Sequence, residues 1–210
     1  MCNELERLSH KFADGKFWRE GWAACRQTLR YDKGQFTSEI TSRLTTLTSD
    51  LNPSNLIEQV RAVVLGDKSG RFDLEDIDIE GDITSAITRL EALARELGAA
   101  VVTSDDVFAE LLPDILRGGN QVGPFGRGLA GASPDLRATW ARLVEGLERI
   151  PLEQRDVQVF RGFLAELWER EQDLAQHLLD SVLDQPALVM FLPALHSAVR
   201  LDERGVKRLK

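Results

Sequence analysis

The segment Arg155-Asp156-Val157-Gln158-Val159-Phe160-Arg161-Gly162-Phe163-Leu164-Ala165-Glu166-Leu167-Trp168-Glu169 decides the fold class. Its apolar residues Val159, Phe160, Phe163, Leu164, Leu167 and Trp168 recur three or four positions apart, which is the period of one face of an α-helix. Residues 171–183 repeat the pattern with Leu174, Leu178, Leu179, Val182 and Leu183. Upstream, residues 134–149 do the same with Leu136, Trp140, Leu143 and Leu147. Strand-like alternation is almost absent. Helices of about 12 to 16 residues joined by short loops must pack antiparallel to their neighbours.

The rest of the chain reads the same way. A first helix carries Leu5, Leu8 and Phe12 and is ended or kinked by Asp14-Gly15. A second, over residues 16–29, carries Phe17, Trp18, Trp22, Cys25 and Leu29, and the turn Asp32-Lys33-Gly34 follows. Residues 38–51 place Ile40, Leu44, Leu47 and Leu51 on a stripe among many Ser and Thr, mediocre helix formers that packing must hold. Asn52-Pro53-Ser54 predicts a helix start, with Asn52 as cap, and Gly66 a stop. Residues 84–97 predict a helix ended by Gly98, and Ser104 caps another with Val107, Phe108, Leu111 and Leu112. Pro186 opens a further helix, and residues 201–210 open one more. The tetrapeptides Leu112-Pro113-Asp114-Ile115 and Leu192-Pro193-Ala194-Leu195 lie 80 residues apart, and each Pro is expected to kink its helix alike.

This rhythm predicts an all-α fold of antiparallel helical hairpins forming an α-solenoid of HEAT or tetratricopeptide-like type, with a compact helical bundle as the alternative. Three parts are expected: an N-terminal helical segment over 1–66, an acidic loop or hinge over 67–81, and a helical-repeat segment over 82–210. The last helix looks unfinished, so the repeat is expected to continue beyond the C-terminus.

Composition limits the function. A net charge of −8 with no basic stripe disfavours nucleic acid as a partner. No apolar run approaches the roughly 18 residues of a membrane span, and the N-terminus has no secretory pattern, so a cytoplasmic location is expected. Cys2 and Cys25 form no disulfide framework, and His10, His177 and His196 are too scattered to announce a metal site. Ser9-His10 and His196-Ser197 are adjacent in sequence, which does not make a catalytic triad.

Two motifs invite a test. Gly126-Arg127-Gly128-Leu129-Ala130-Gly131 fits G-x-G-x-x-G, but a dinucleotide site needs it just after a buried strand. Here residues 118–125 read as loop, so a flexible turn before a short helical segment is expected. Counting from Asp76, oxygen-bearing side chains fall at positions 1, 3, 5, 7 and 9 of a calcium loop, with Gly81 at position 6. Position 12, which should be Glu, is Ile87, so an acidic connector is the plainer reading.

Phe125-Gly126-Arg127-Gly128-Leu129-Ala130, Val157-Gln158-Val159-Phe160-Arg161-Gly162-Phe163-Leu164 and Leu201-Asp202-Glu203-Arg204-Gly205-Val206 with Leu209 give residues 51–210 a further aspect. This stretch resembles the helical-repeat part of large bacterial ATP-binding proteins of the STAND class, some of which act in defence against phage. The resemblance implies a scaffold or ligand sensor. It carries no ATPase activity, because the Walker lysine motif and its acidic metal-binding partner are missing.

The expected function is therefore a non-catalytic protein-interaction, scaffold or ligand-sensing module of a larger protein, without cofactor, metal or catalytic residue. Its partner is expected to be a protein, recognised through Arg127, Arg161 and Trp168 as exposed arginine and aromatic anchors. The alternative is a helical enzyme or small-ligand-binding bundle with a site between helices.

Overall fold

The computed structural model describes residues 18–31, 34–66 and 83–209, and within these the chain forms eleven α-helices and no β-strand. In chain order they are α1 (Arg19–Tyr31), α2 (Ser38–Asp50), α3 (Leu56–Val63), α4 (Ile83–Val101), α5 (Asp105–Ile115), α6 (Val122–Ala132), α7 (Leu136–Glu148), α8 (Gln158–Arg170), α9 (Gln172–Ser181), α10 (Leu192–His196) and α11 (Glu203–Arg208). Short 3₁₀ turns at Leu152–Gln154, Val182–Asp184 and Val189–Phe191 link some of them. None of these helices is long and apolar enough to cross a membrane. The expected first helix, Cys2, His10, Asp32-Lys33, the acidic connector and the first seven positions of the candidate calcium loop lie outside the described residues; its last five, Ile83 to Ile87, lie in α4.

Local chemistry sets several helix starts. Thr37, Asn55, Asp135 and Asp202 each accept a hydrogen bond from the backbone N–H three residues on, filling one donor that a helix start leaves open. At α3 the arrangement is reciprocal: Glu58 reaches back to the backbone N–H of Ser54 at 2.7 Å while Asn55 accepts from Glu58 N at 3.0 Å. Asn55 therefore caps the helix that was expected to start from Asn52, and Pro53 stays outside it. In α2, the hydroxyls of Thr41, Thr45 and Thr48 donate to the carbonyls of Thr37, Thr41 and Leu44, so these three poor helix formers bond within their own helix.

The two proline tetrapeptides do opposite jobs. Pro113 sits near the end of α5, two residues before the helix finishes, whereas Pro193 occupies the first turn of α10. A first-turn proline forfeits no hydrogen bond, because that N–H has no helical acceptor anyway. The helix expected from Pro186 is replaced by 3₁₀ turns ahead of the short α10. After α5 the chain reverses through Gly118, whose φ of +95° lies where residues with a Cβ are strained.

Packing divides the described residues between two cores. Cys25, Leu44 and Leu47, with Leu29, Phe36, Ile40 and Leu51 against them, make a small cluster within the α1–α2 hairpin. The main core begins with α3, through Val60, Val63 and Val64, and runs to Leu195 in α10. Phe108, Phe125, Phe160 and Phe163 are fully buried in it, each contributing about 2 kcal/mol relative to exposure. Trp140 stands edge-on to Phe160 with ring centroids 5.1 Å apart. The most extensive packing runs from α4 to α6 to α8, with α10 against α8; α3 packs on α4 and on α5, and α5 on α7.

The layer α4–α6–α8 rests on glycine. The G-x-G-x-x-G stretch is not a turn; it lies inside α6, with Gly126 and Gly128 buried. Residues two apart on a helix point about 200° apart, so these glycines serve opposite neighbours. A Cβ on Gly126 would come closer than 3.0 Å to the Val159 carbonyl of α8, and one on Gly128 would do the same to the Arg95 carbonyl of α4. The partner helices reciprocate through Gly98 against Phe125 and Gly162 against Gly123. Gly98, expected to end its helix, sits within α4 instead, because close approach of α6 requires a residue without a side chain there.

Candidate functional site

The close packing of α4, α6 and α8 brings side chains from all three to one exposed edge. An open groove of about 690 Å³ runs there, lined by Thr88, Glu91, Ala92 and Arg95 of α4, by Gly123, Pro124 and Arg127 of α6, and by Gln158, Arg161, Gly162 and Ala165 of α8. Ser197 and Ala198, just after α10, close one side. Its lining combines glycine, alanine and proline with three arginines along the rim. Two of the three expected recognition residues, Arg127 and Arg161, thus meet in one groove although 34 positions separate them. Trp168 does not line it; its ring is half-buried against the main core.

Beneath the rim lies Glu166, whose side chain is only 5 % exposed. Arg95 Nη2 donates to both its carboxylate oxygens, at 2.6 and 2.5 Å. Arg127 and Arg170 approach the same carboxylate at 3.6 and 3.8 Å, and Arg127 also pairs with Glu169 at 3.0 Å. Arg170 further donates to the Gly131 carbonyl at 2.9 Å, so the network ties all three helices. A buried carboxylate is tolerable only when so paired. Its effect is to hold Arg95 and Arg127 in fixed positions beside the groove.

Arg161 differs from those two. Its Nη1 donates to the neutral Gln158 Oε1 at 2.9 Å, and no carboxylate pairs with it among the described residues. Its Nε is buried with no hydrogen-bond partner. The groove hydroxyls are committed elsewhere: Thr88 donates to the Thr84 carbonyl and Ser197 to the Ala194 carbonyl. With guanidinium, amide and one carboxylate, Glu91, on its walls, the groove can bind an anion by charge and hydrogen bonding. Among the described residues no cluster of three or more His, Cys, Asp or Glu is placed to hold a metal ion.

A second polar network fastens α11. Arg208 is buried and donates through Nε to Asp180 at 2.6 Å and through Nη2 to the Gln176 carbonyl at 3.0 Å and to its side-chain oxygen. Arg204 also pairs with Asp180. Gln176 donates in turn to Asp202, the cap of α11, at 2.7 Å. His196 is buried against this cluster, with neither ring nitrogen hydrogen-bonded. Burial, then the Arg208 cation, pushes its pKa below 6.5, against an opposing pull from Asp202. Burial alone would raise the Asp180 carboxyl, but hydrogen bonds from Arg204 and Arg208, with their charges, hold it below 3.8. The Gly205 N–H does the same for Asp202, aided by Gln176 and Arg208.

Sequence reasoning missed Glu166, Arg95 and the whole α11 network. One signal was available for Glu166: it falls three residues after Phe163 and between Leu164 and Leu167, at the edge of an apolar stripe, with Arg170 four residues on. No family model matches this chain, and neither the curated proteins nor the solved structures contain a match to it.

Proposed function

We propose that this chain is a non-catalytic recognition module, an array of antiparallel helical hairpins that docks a protein partner on the groove over α4, α6 and α8. The observation that carries the reading is the groove itself: arginines from three helices, two of them held by one buried carboxylate, among glycine, alanine and proline in the same lining. Preorganised arginines are favoured anchors at protein interfaces. The packing of α6 between α4 and α8 is compatible with the hairpin-array architecture, with a compact bundle as the alternative. In the STAND-class setting that the sequence resembles, such a module is the scaffold or sensing part of a larger cytoplasmic protein, and nucleic acid is not its target.

The test compares the wild-type chain with Arg127→Ala, Arg161→Ala and Trp168→Ala in cross-linking to partners from a native lysate, alongside circular dichroism. Arg161→Ala is expected to abolish the specific cross-link with helicity unchanged. Trp168→Ala is expected to lower stability, because its ring packs on the core. Cross-linking untouched by either arginine change sinks the recognition reading. The groove volume also suits a small ligand, which favours a second reading as a small-molecule-binding bundle. A thermal shift with nucleotides or metabolites, absent with peptides, would favour that reading.

A further inference from the structure

We infer that the groove takes an acidic, extended peptide segment, with Arg161 as the carboxylate receptor; the inference rests on the recognition reading and names its ligand class. Three observations lead there. First, the charge at the groove is uneven. Arg95 and Arg127 already share Glu166, and Arg127 also has Glu169, whereas Arg161 faces only the neutral Gln158 and keeps its Nε without a partner. A guanidinium offers five donors, and a carboxylate is the acceptor that matches its fork. Second, a Cβ on Gly123 would meet nothing within 4 Å, and Pro124, Ala92 and Ala165 in the same lining are short, which leaves room for a polypeptide backbone to lie close. Third, Glu91 shares the lining with the arginines. A compact polyphosphate has only acceptors and meets repulsion at Glu91. A peptide brings both kinds of group, so its side-chain carboxylate can go to Arg161 while a backbone N–H donates to Glu91.

Arg161 is thus the specificity-determining contact, and Arg95 and Arg127 keep the rim electropositive from positions fixed by Glu166. Arg149 provides a control, since it is exposed and does not line the groove.

The experiment is fluorescence anisotropy on the full chain with a labelled eight-residue peptide of alternating Glu and Gly, and its Gln–Gly counterpart. Inorganic phosphate and ATP serve as competitors. Saturable binding of the Glu peptide alone is expected. Arg161→Gln should weaken it about tenfold, the typical loss of a charge-assisted hydrogen bond, while Arg149→Gln leaves it unchanged. Raising the salt should weaken binding further. Circular dichroism of both variants is expected to match the wild type. Three results would each overturn the inference: no saturable binding of the Glu peptide, equal weakening by Arg149→Gln, or displacement by phosphate or ATP at concentrations below the peptide's own. If the peptide fails but lysate cross-linking still depends on Arg161, recognition stands and only the acidic ligand class falls. If cross-linking is also indifferent to Arg161, both fall.

Discussion

The networks around Glu166 and around Arg208 use the same two side-chain types the opposite way round. At Glu166 the carboxylate is buried, 5 % exposed, and its principal partner Arg95 stays 49 % exposed. At Arg208 the guanidinium is buried, 3 % exposed, and Asp180 keeps 38 % exposure. Within each of these two principal pairs, the partner left facing water therefore differs in sign. The first arrangement presents cations along an open groove; the second turns its cation inward and fastens α11 to α9. The difference teaches that an arginine–carboxylate pair has no function by itself. Which partner is buried decides whether it makes a binding edge or a latch.

The scaffold beneath each network differs too, and this is where the largest effect is expected. Under the Glu166 edge the helices meet backbone to backbone, as at Gly162 against the Gly123 carbonyl. Under the latch, a Cβ on Gly205 would meet the ends of side chains, Leu201 Cδ1 at 2.8 Å and His196 Cε1 at 2.9 Å. Side-chain ends can turn away; backbone cannot. Gly162→Val is expected to cost about 3 kcal/mol, read as a lower midpoint in urea unfolding, with Gly205→Ala costing less than 1 kcal/mol. Equal losses would erase the distinction between the two scaffolds.

A smaller effect separates the roles within the latch. Asp180→Ala strands the Arg208 charge in the interior, whereas Arg208→Met removes the buried charge and leaves Asp180 to solvent. The first is expected to destabilise by about 2 kcal/mol and the second by about half as much, read by thermal unfolding. The reverse order would mean that packing of the Arg208 stem outweighs its charge. Neither change should alter peptide binding at the groove.

The smallest effect is on pH dependence, and it sharpens the contrast because, among the described residues, the groups with shifted pKa belong to the latch. Neutral His196 has a folded pKa below 6.5, so the unfolded chain takes up that proton first. Its contribution is whole above pH 6.5 and is lost as pH falls toward the folded value. Asp180 and Asp202 have folded values below 3.8, so their contribution is whole above 3.8 and is lost as pH falls through those values. The protection factors of the α11 amides are expected to fall below pH 6.5 before those of α6 change, and His196→Gln should remove that first step. Simultaneous loss of protection in both helices would contradict a separately titrating latch.

Much of the fold was legible from the chain because amphipathic period is a local property. The stripes at Ile40, Leu44 and Leu47, at Leu136, Trp140 and Leu143, and at Val159, Phe160 and Phe163 all lie in helices, with those six core positions from Leu136's helix onward and Leu44 and Leu47 buried or packed on a core. Glycine was the main source of error. At Gly98 and at Gly126-Arg127-Gly128 local propensity pointed to a stop and a turn, because glycine disfavours an isolated helix. The helices persist there because the missing side chains let neighbouring backbones touch, and propensity does not contain the neighbour. The repeated Leu-Pro tetrapeptides mislead for a related reason, since proline reads differently at the two ends of a helix.

The groove was half legible. Arg127 and Arg161 stood out as cations on otherwise apolar or glycine-rich segments, but nothing local placed them together. By itself, the sequence determined an all-helical chain, because each helix writes its buried stripe and several of its caps into residues three and four apart. Only the tertiary structure decided that Gly98, Gly126, Gly128 and Gly162 would seat α6 between α4 and α8. That contact carries Arg95, Arg127 and Arg161 to one edge, with Glu166 buried beneath. Those pairings span up to 71 positions of chain, and such distances are closed by packing geometry, which no short window of residues encodes.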